Sequence, residues 1–101
     1  MPGDGVVVLI EYRALPGREN VAQRELSALV ATVVEKEPDC GGIEVLRDKD
    51  DPTRLVLYER WSSREAYTGP HMRTPHILEF ISKAGEFVAG PPSISFLDPV
   101  D

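Results

Sequence analysis

Apolar residues recur along this chain with two different periods. From Gly5 to Leu15 the run Val6-Val7-Val8-Leu9-Ile10, followed by Tyr12, Ala14 and Leu15, is β-branched and nearly continuous, and it predicts a first strand. Pro16-Gly17 ends that strand. From about Arg18 to Glu35 the period lengthens. Ala22, Leu26, Leu29, Val30 and Val33 fall on one stripe of a helix, with Arg18, Glu19, Gln23, Arg24 and Glu25 mostly on the wet side. Pro38 has no N–H and cannot continue the helix. Gly41-Gly42 predicts a turn, Ile43 to Asp48 a second strand, and Asp50-Asp51-Pro52-Thr53 a hairpin-type connection to a third strand, Arg54 to Trp61.

The C-terminal part is punctuated by caps. Ser62, with Glu65 three residues on, predicts a capping box and a short helix. Gly69-Pro70 interrupts it. Thr74 then caps a further helix whose first residue, Pro75, loses nothing by lacking an N–H. Ile77, Leu78 and Ile81 are expected to face inward from it, and Gly85 to mark its end. Gly90-Pro91-Pro92 leads into a last strand, Ser93 to Leu97.

The order β-α-β-β-α-β predicts one α+β domain over residues 1–101, a ferredoxin-like antiparallel sheet with helices on one face. Strands one and three are apolar on both faces, whereas a sheet with one wet face alternates. Something must cover the second face, and a two-fold copy packed sheet to sheet is the simplest solution, so a homodimer is expected.

Composition narrows the function. Hydrophobic residues make up 42% of the 101 positions and charged residues 28%, which is ordinary globular usage. A net charge of −6 repels phosphate, so no nucleic-acid partner is expected. The longest apolar run at the N-terminus, Val6 to Ile10, is far too short to cross a bilayer, and Met1-Pro2-Gly3-Asp4-Gly5 carries no signal-like pattern. No membrane role is expected, and a cytoplasmic location is. The single Cys40 has no basic neighbour in sequence and is read as inert. Phosphate loops, dinucleotide fingerprints and CxxC pairs are absent, so no nucleotide or flavin site is indicated.

Candidate chemistry gathers between Tyr58 and His76. Both histidines, His71 and His76, lie there with the only Trp, Trp61, and with Tyr67. A neutral imidazole near pH 7 suits a general base, and the helix breaks between the two histidines let either converge on a pocket. Tyr67, and Tyr12 on the neighbouring first strand, can hydrogen-bond a substrate oxygen once buried. Trp61 is either core or cavity wall. Glu59 and Glu11 sit among apolar residues on adjacent strands, where a carboxylate either pairs with Arg13 or Arg60 or has a raised pKa suited to proton transfer. No spacing singles out a metal site.

At these residues the chain resembles the antibiotic biosynthesis monooxygenase family of dimeric α+β barrels. The specific part is Tyr58-Glu59-Arg60-Trp61-Ser62-Ser63-Arg64-Glu65-Ala66-Tyr67 through His71 and Thr74-Pro75-His76. The opening strand, Pro16-Gly17, Asp51-Pro52 and Gly90-Pro91 are compatible with it. The resemblance implies a homodimer with a pocket in each protomer between sheet and helices. It also implies oxygenation of quinols or anthrone-type polyketides by O₂ without metal or flavin. His71 or His76 would be the base, Tyr67 catalytic, and Trp61, Tyr12 and Glu59 would contact the substrate.

Trp61 and Tyr67 repeat the spacing of the anthrone oxygenases, although Leu57 stands where those enzymes carry asparagine. Tyr12 and Pro70 stand where haem-degrading relatives carry asparagine and tryptophan, so haem is not implied. A relative that isomerises a phosphorylated sugar derivative shares the His and Thr-Pro-His pattern. A metal-free isomerase is therefore the rival reading, which a basic pocket supplied by Arg73 or Lys83 would favour. A dimer that binds a small molecule without reaction is the third.

Overall fold

Val6–Arg13 (β1) is the hub of the sheet, paired on both sides in a computed structural model that describes residues 5–100. Glu19–Lys36 forms the long helix α1. Cys40–Arg47 (β2) and Arg54–Trp61 (β3) make a hairpin. Arg64–Thr68 (α2), a 3-10 turn at Pro70–Arg73, Pro75–Lys83 (α3) and a second 3-10 turn at Ala84–Glu86 precede Ser93–Leu97 (β4). Strand order is β2-β3-β1-β4, antiparallel throughout. This is the ferredoxin-like α+β fold. Met1 to Asp4, read above as lacking a signal pattern, lie outside the described residues. No described helix is long and apolar enough to cross a membrane.

Side chains alternate across each strand, so register decides which face each one takes. Val6, Val8, Ile10 and Tyr12 of β1 join Leu55, Leu57 and Trp61 of β3 and Ala22, Leu26 and Val33 of α1 in one core. Glu59, between Leu57 and Trp61 on the same face, is the one carboxylate among the described residues drawn into that layer. The opposite face carries Val7, Leu9, Val56 and Tyr58, and no described helix lies over it.

Four local expectations need correction. Gly41 and Gly42 do not form a turn; they lie inside β2, where the register slips between Cys40 and Gly42. Gly42 has φ +136, which accommodates the bulge without a Cβ clash. The cap of α2 is Ser63, whose Oγ accepts from Ala66 N at 3.1 Å, whereas Ser62 donates to Asp39 across the β3 end. On α3, Leu78 and Ile81 are each 54% exposed and the buried positions belong to Ile77 and Phe80; Ile81 still borders the space between helix and sheet, whereas Leu78 does not. That helix is apolar on more than one side, so its stripe was ambiguous. Finally, α3 stops at Lys83, short of Gly85. Thr74 does cap it, its side chain accepting from Ile77 N with Pro75 in the first turn.

Candidate functional site

The helices stand off the sheet at one end and leave a cavity of about 420 Å³. Most of its wall is apolar: Ile10 and Leu57 from the sheet, Leu29, Val30 and Val33 from α1, and Phe80 from α3. Gly90, Pro91, Pro92 and Ile94 close it beside β4. Against this surface four polar side chains are set: Tyr12, Glu59, Tyr67 and His71. No Arg or Lys lines the cavity among the described residues.

Glu59, Tyr67 and His71 are braced around Trp61, while Tyr12 packs edge-on against Phe80. Tyr67 stacks on His71 with ring centroids 4.9 Å apart, and Trp61 packs against His71 at 4.5 Å and Tyr67 at 5.6 Å. Trp61 Nε1 donates to Glu59 Oε1 at 2.8 Å. Glu59 is only 3% exposed, and burial pushes its carboxyl up to about 7; the Trp61 hydrogen bond opposes the rise and the charge of Glu37 adds to it. Burial, with the negative charge of Glu59, pushes Tyr12 up to about 12 and raises Tyr67 as well. Both phenols are thus kept as O–H donors. Burial also pulls His71 below the usual histidine range, outweighing the carboxylate of Glu37 beside it. A neutral imidazole follows at pH 7, able to accept a proton.

The predicted residues divide in space. Tyr12, Glu59, Tyr67 and His71 share the cavity. Trp61 stands behind Glu59 and His71, off the lining. His76 faces a separate depression with Glu25, Glu79 and Lys83. Glu11 takes the plainer of its two readings and pairs with Arg54 and Arg13 at the surface, whereas Glu59 has no arginine partner. Burial raises the Cys40 thiol, consistent with an unreactive side chain.

The family model for antibiotic biosynthesis monooxygenases matches residues 5–83, which span every group just described except the β4 side of the cavity. The chain belongs to the antibiotic biosynthesis monooxygenase family. It is 29% identical over 96 residues to Rv0793 of Mycobacterium tuberculosis, a protein whose name proposes a monooxygenase; the match covers 95% of this chain and 92% of that one. The solved structure of Rv0793 superposes with a TM-score of 0.84 at 26% identity, covering 97% of each chain. PA3566 from Pseudomonas aeruginosa shares the fold with a TM-score of 0.87 at 24% identity, covering 100% of this chain and 99% of that one.

One residue of this family member escaped the sequence reading. Glu37, just past the end of α1, lies 3.0 Å from His71 Nδ1 through both oxygens and 2.6 Å from His76 Nε2 through Oε2. In sequence it is one more acid on a wet helix end before Pro38. The available signal was indirect: a histidine drawn into an apolar cavity needs a partner for its ring nitrogen.

Proposed function

We propose that this chain is a cofactor-independent monooxygenase that oxidises a reduced aromatic, a quinol or an anthrone-type polyketide, with O₂. The observation that carries the reading is the cavity: an apolar space of about 420 Å³ in which a neutral imidazole, two phenol donors and one buried carboxyl face the same volume. Triplet O₂ reacts slowly with closed-shell molecules, but a phenolate or carbanion passes it an electron directly. His71 takes the proton that creates this anion. Tyr67 and Tyr12 donate to the substrate's oxygen as charge builds on it. The apolar wall excludes water from the radical pair. At an anthrone-type methylene, one oxygen atom ends on carbon as a carbonyl and the other leaves as water. All four electrons come from the substrate.

The lack of Arg and Lys in the lining favours this over isomerisation of a phosphorylated metabolite, since nothing there neutralises a phosphate. Lys83 is turned away and paired with Glu25 at 2.8 Å. The apolar outer face of the sheet, Val7, Leu9, Val56 and Tyr58, supports a homodimer joined through that face.

The test is O₂ consumption by the metal-stripped protein against a panel of quinols and anthrones, with His71→Ala as control. Uptake above autoxidation that vanishes in the variant is expected. A panel with no uptake above that background sinks the oxygenase reading. Solvent deuterium appearing in a recovered substrate would then mark a proton-transfer enzyme, and a ligand recovered unchanged a binding module.

A further inference from the structure

Glu37 takes no part in the chemistry above, yet it holds both histidines. It is the C-cap of α1, and its backbone N–H still donates to Val33 O, so the helix end fixes where its side chain begins. An ionised carboxylate only accepts hydrogen bonds, so each contact calls for a proton on the imidazole nitrogen that faces it. For His71 that nitrogen is Nδ1. While the ring is neutral, Nε2 is then its bare nitrogen. Among the described residues no hydrogen bond engages Nε2, and no fully buried side-chain nitrogen or oxygen lacks a partner. Nε2 therefore keeps open surface, and the space His71 lines is the cavity.

We propose that Glu37 is a positioning residue: it holds His71 in the tautomer that presents Nε2 to the cavity as a proton acceptor, and His76, bonded to the same carboxylate, weakens its hold on His71. The inference rests on the reading of His71 as the base, but it concerns only where the ring's proton sits.

The surroundings sharpen it. The Glu37 side chain is 12% exposed, and among the described residues it bonds only to the two histidines. Glu59 on β3 and Cys40 at the start of β2 sense its charge. Glu25, Glu79 and Lys83 border the depression on the His76 side. Trp61 and Tyr67, packed on His71, bring no charge at neutral pH. His76 shares Oε2 at 2.6 Å, so part of the carboxylate's accepting power is diverted from His71.

Nitrogen-15 NMR of the ring nitrogens, followed from about pH 5 to about pH 9, reads this directly and needs no substrate. Neutral His71 is expected to carry its proton on Nδ1. Glu37→Gln keeps an acceptor of similar shape but removes the charge, so the His71 midpoint should fall by about one pH unit. His76→Asn should raise it by about half a unit, as the carboxylate ceases to be shared and the direct repulsion from His76 disappears. Mere loosening would hydrate the ring and raise the midpoint in Glu37→Gln too. A neutral His71 protonated on Nε2, or a midpoint that rises in Glu37→Gln, overturns the proposal. The wild-type tautomer decides its first half whichever variants fold. Absence of O₂ uptake with the Nδ1 tautomer present would sink the oxygenase reading and leave this one standing.

Discussion

The indole N–H of Trp61 reaches back along its own strand to Glu59 Oε1, two residues away on the same face of β3, at 2.8 Å. One strand thus supplies both a buried carboxyl and the donor that satisfies it. Trp61→Phe keeps an aromatic ring while deleting the donor together with the pyrrole half of the indole. It should cost about 1–3 kcal/mol of stability, read by urea denaturation, because Glu59 loses its buried partner. The same change should push the Glu59 carboxyl above its value near 7, followed by carbon-13 NMR.

Glu59 also predicts a pH dependence. Its folded pKa, about 7, lies above the 4.5 of a free glutamic acid. Below about pH 4.5 both folded and unfolded chains hold the proton, and there is no penalty. Between about 4.5 and 7 the unfolded chain releases it first, so stability falls as pH rises, by on the order of 3 kcal/mol in all, and levels off above 7. In Glu59→Gln this component is absent. The difference in unfolding free energy between variant and wild type should therefore grow with pH in favour of the glutamine and then plateau.

The division between the histidines gives an activity prediction. His71→Ala should lower oxygen uptake by ~100-fold or more, the usual worth of a positioned base. His76→Ala, off the cavity, should lower it by less than ~10-fold. Equal losses in the two variants would contradict the separation of roles.

Thr74 has two jobs at one corner. Its hydroxyl accepts from Ile77 N to cap α3 and donates to His71 O at 2.9 Å. Thr74→Ala should cost about 1 kcal/mol in thermal or urea unfolding, and Thr74→Ser should restore most of it.

Val56 lies on the outer sheet face beside Leu9 and Tyr58 and is only 9% exposed in a single chain. In a sheet-to-sheet dimer a charge there would be buried without a partner. Sedimentation should find wild type as a dimer and Val56→Glu as a monomer with its secondary structure intact.

Much of this architecture is legible in the residues. Strand and helix periods mark every main element, and the last strand, Ser93–Leu97, falls where Pro91-Pro92 and the alternation after it say. The errors arise where local rules are degenerate. Two serines in a row both stand near a capping position, and only the Ser62–Asp39 contact across the end of β3 decides between them. Of the candidate site, Tyr12 and Glu59 stand out because they interrupt apolar strands, and Tyr67 and His71 because they gather with Trp61 around the helix breaks after β3. Glu37 was not, since its partners are 34 and 39 positions away and nothing near it in sequence calls for a histidine.

The walls of the cavity differ in how firmly they are held. The floor is β1 and β3, paired over eight residues. The side beside β4 rests on a five-residue strand bonded to one neighbour only, approached through Gly90 in a left-handed conformation and two prolines that donate no backbone hydrogen bond. Backbone fluctuations should concentrate there, with amide exchange fastest along β4 and slowest in β1. For the substrate proposed above, entry is expected on the β4 side, by spreading one edge of the sheet while the braced cluster of His71, Tyr67 and Trp61 stays in place.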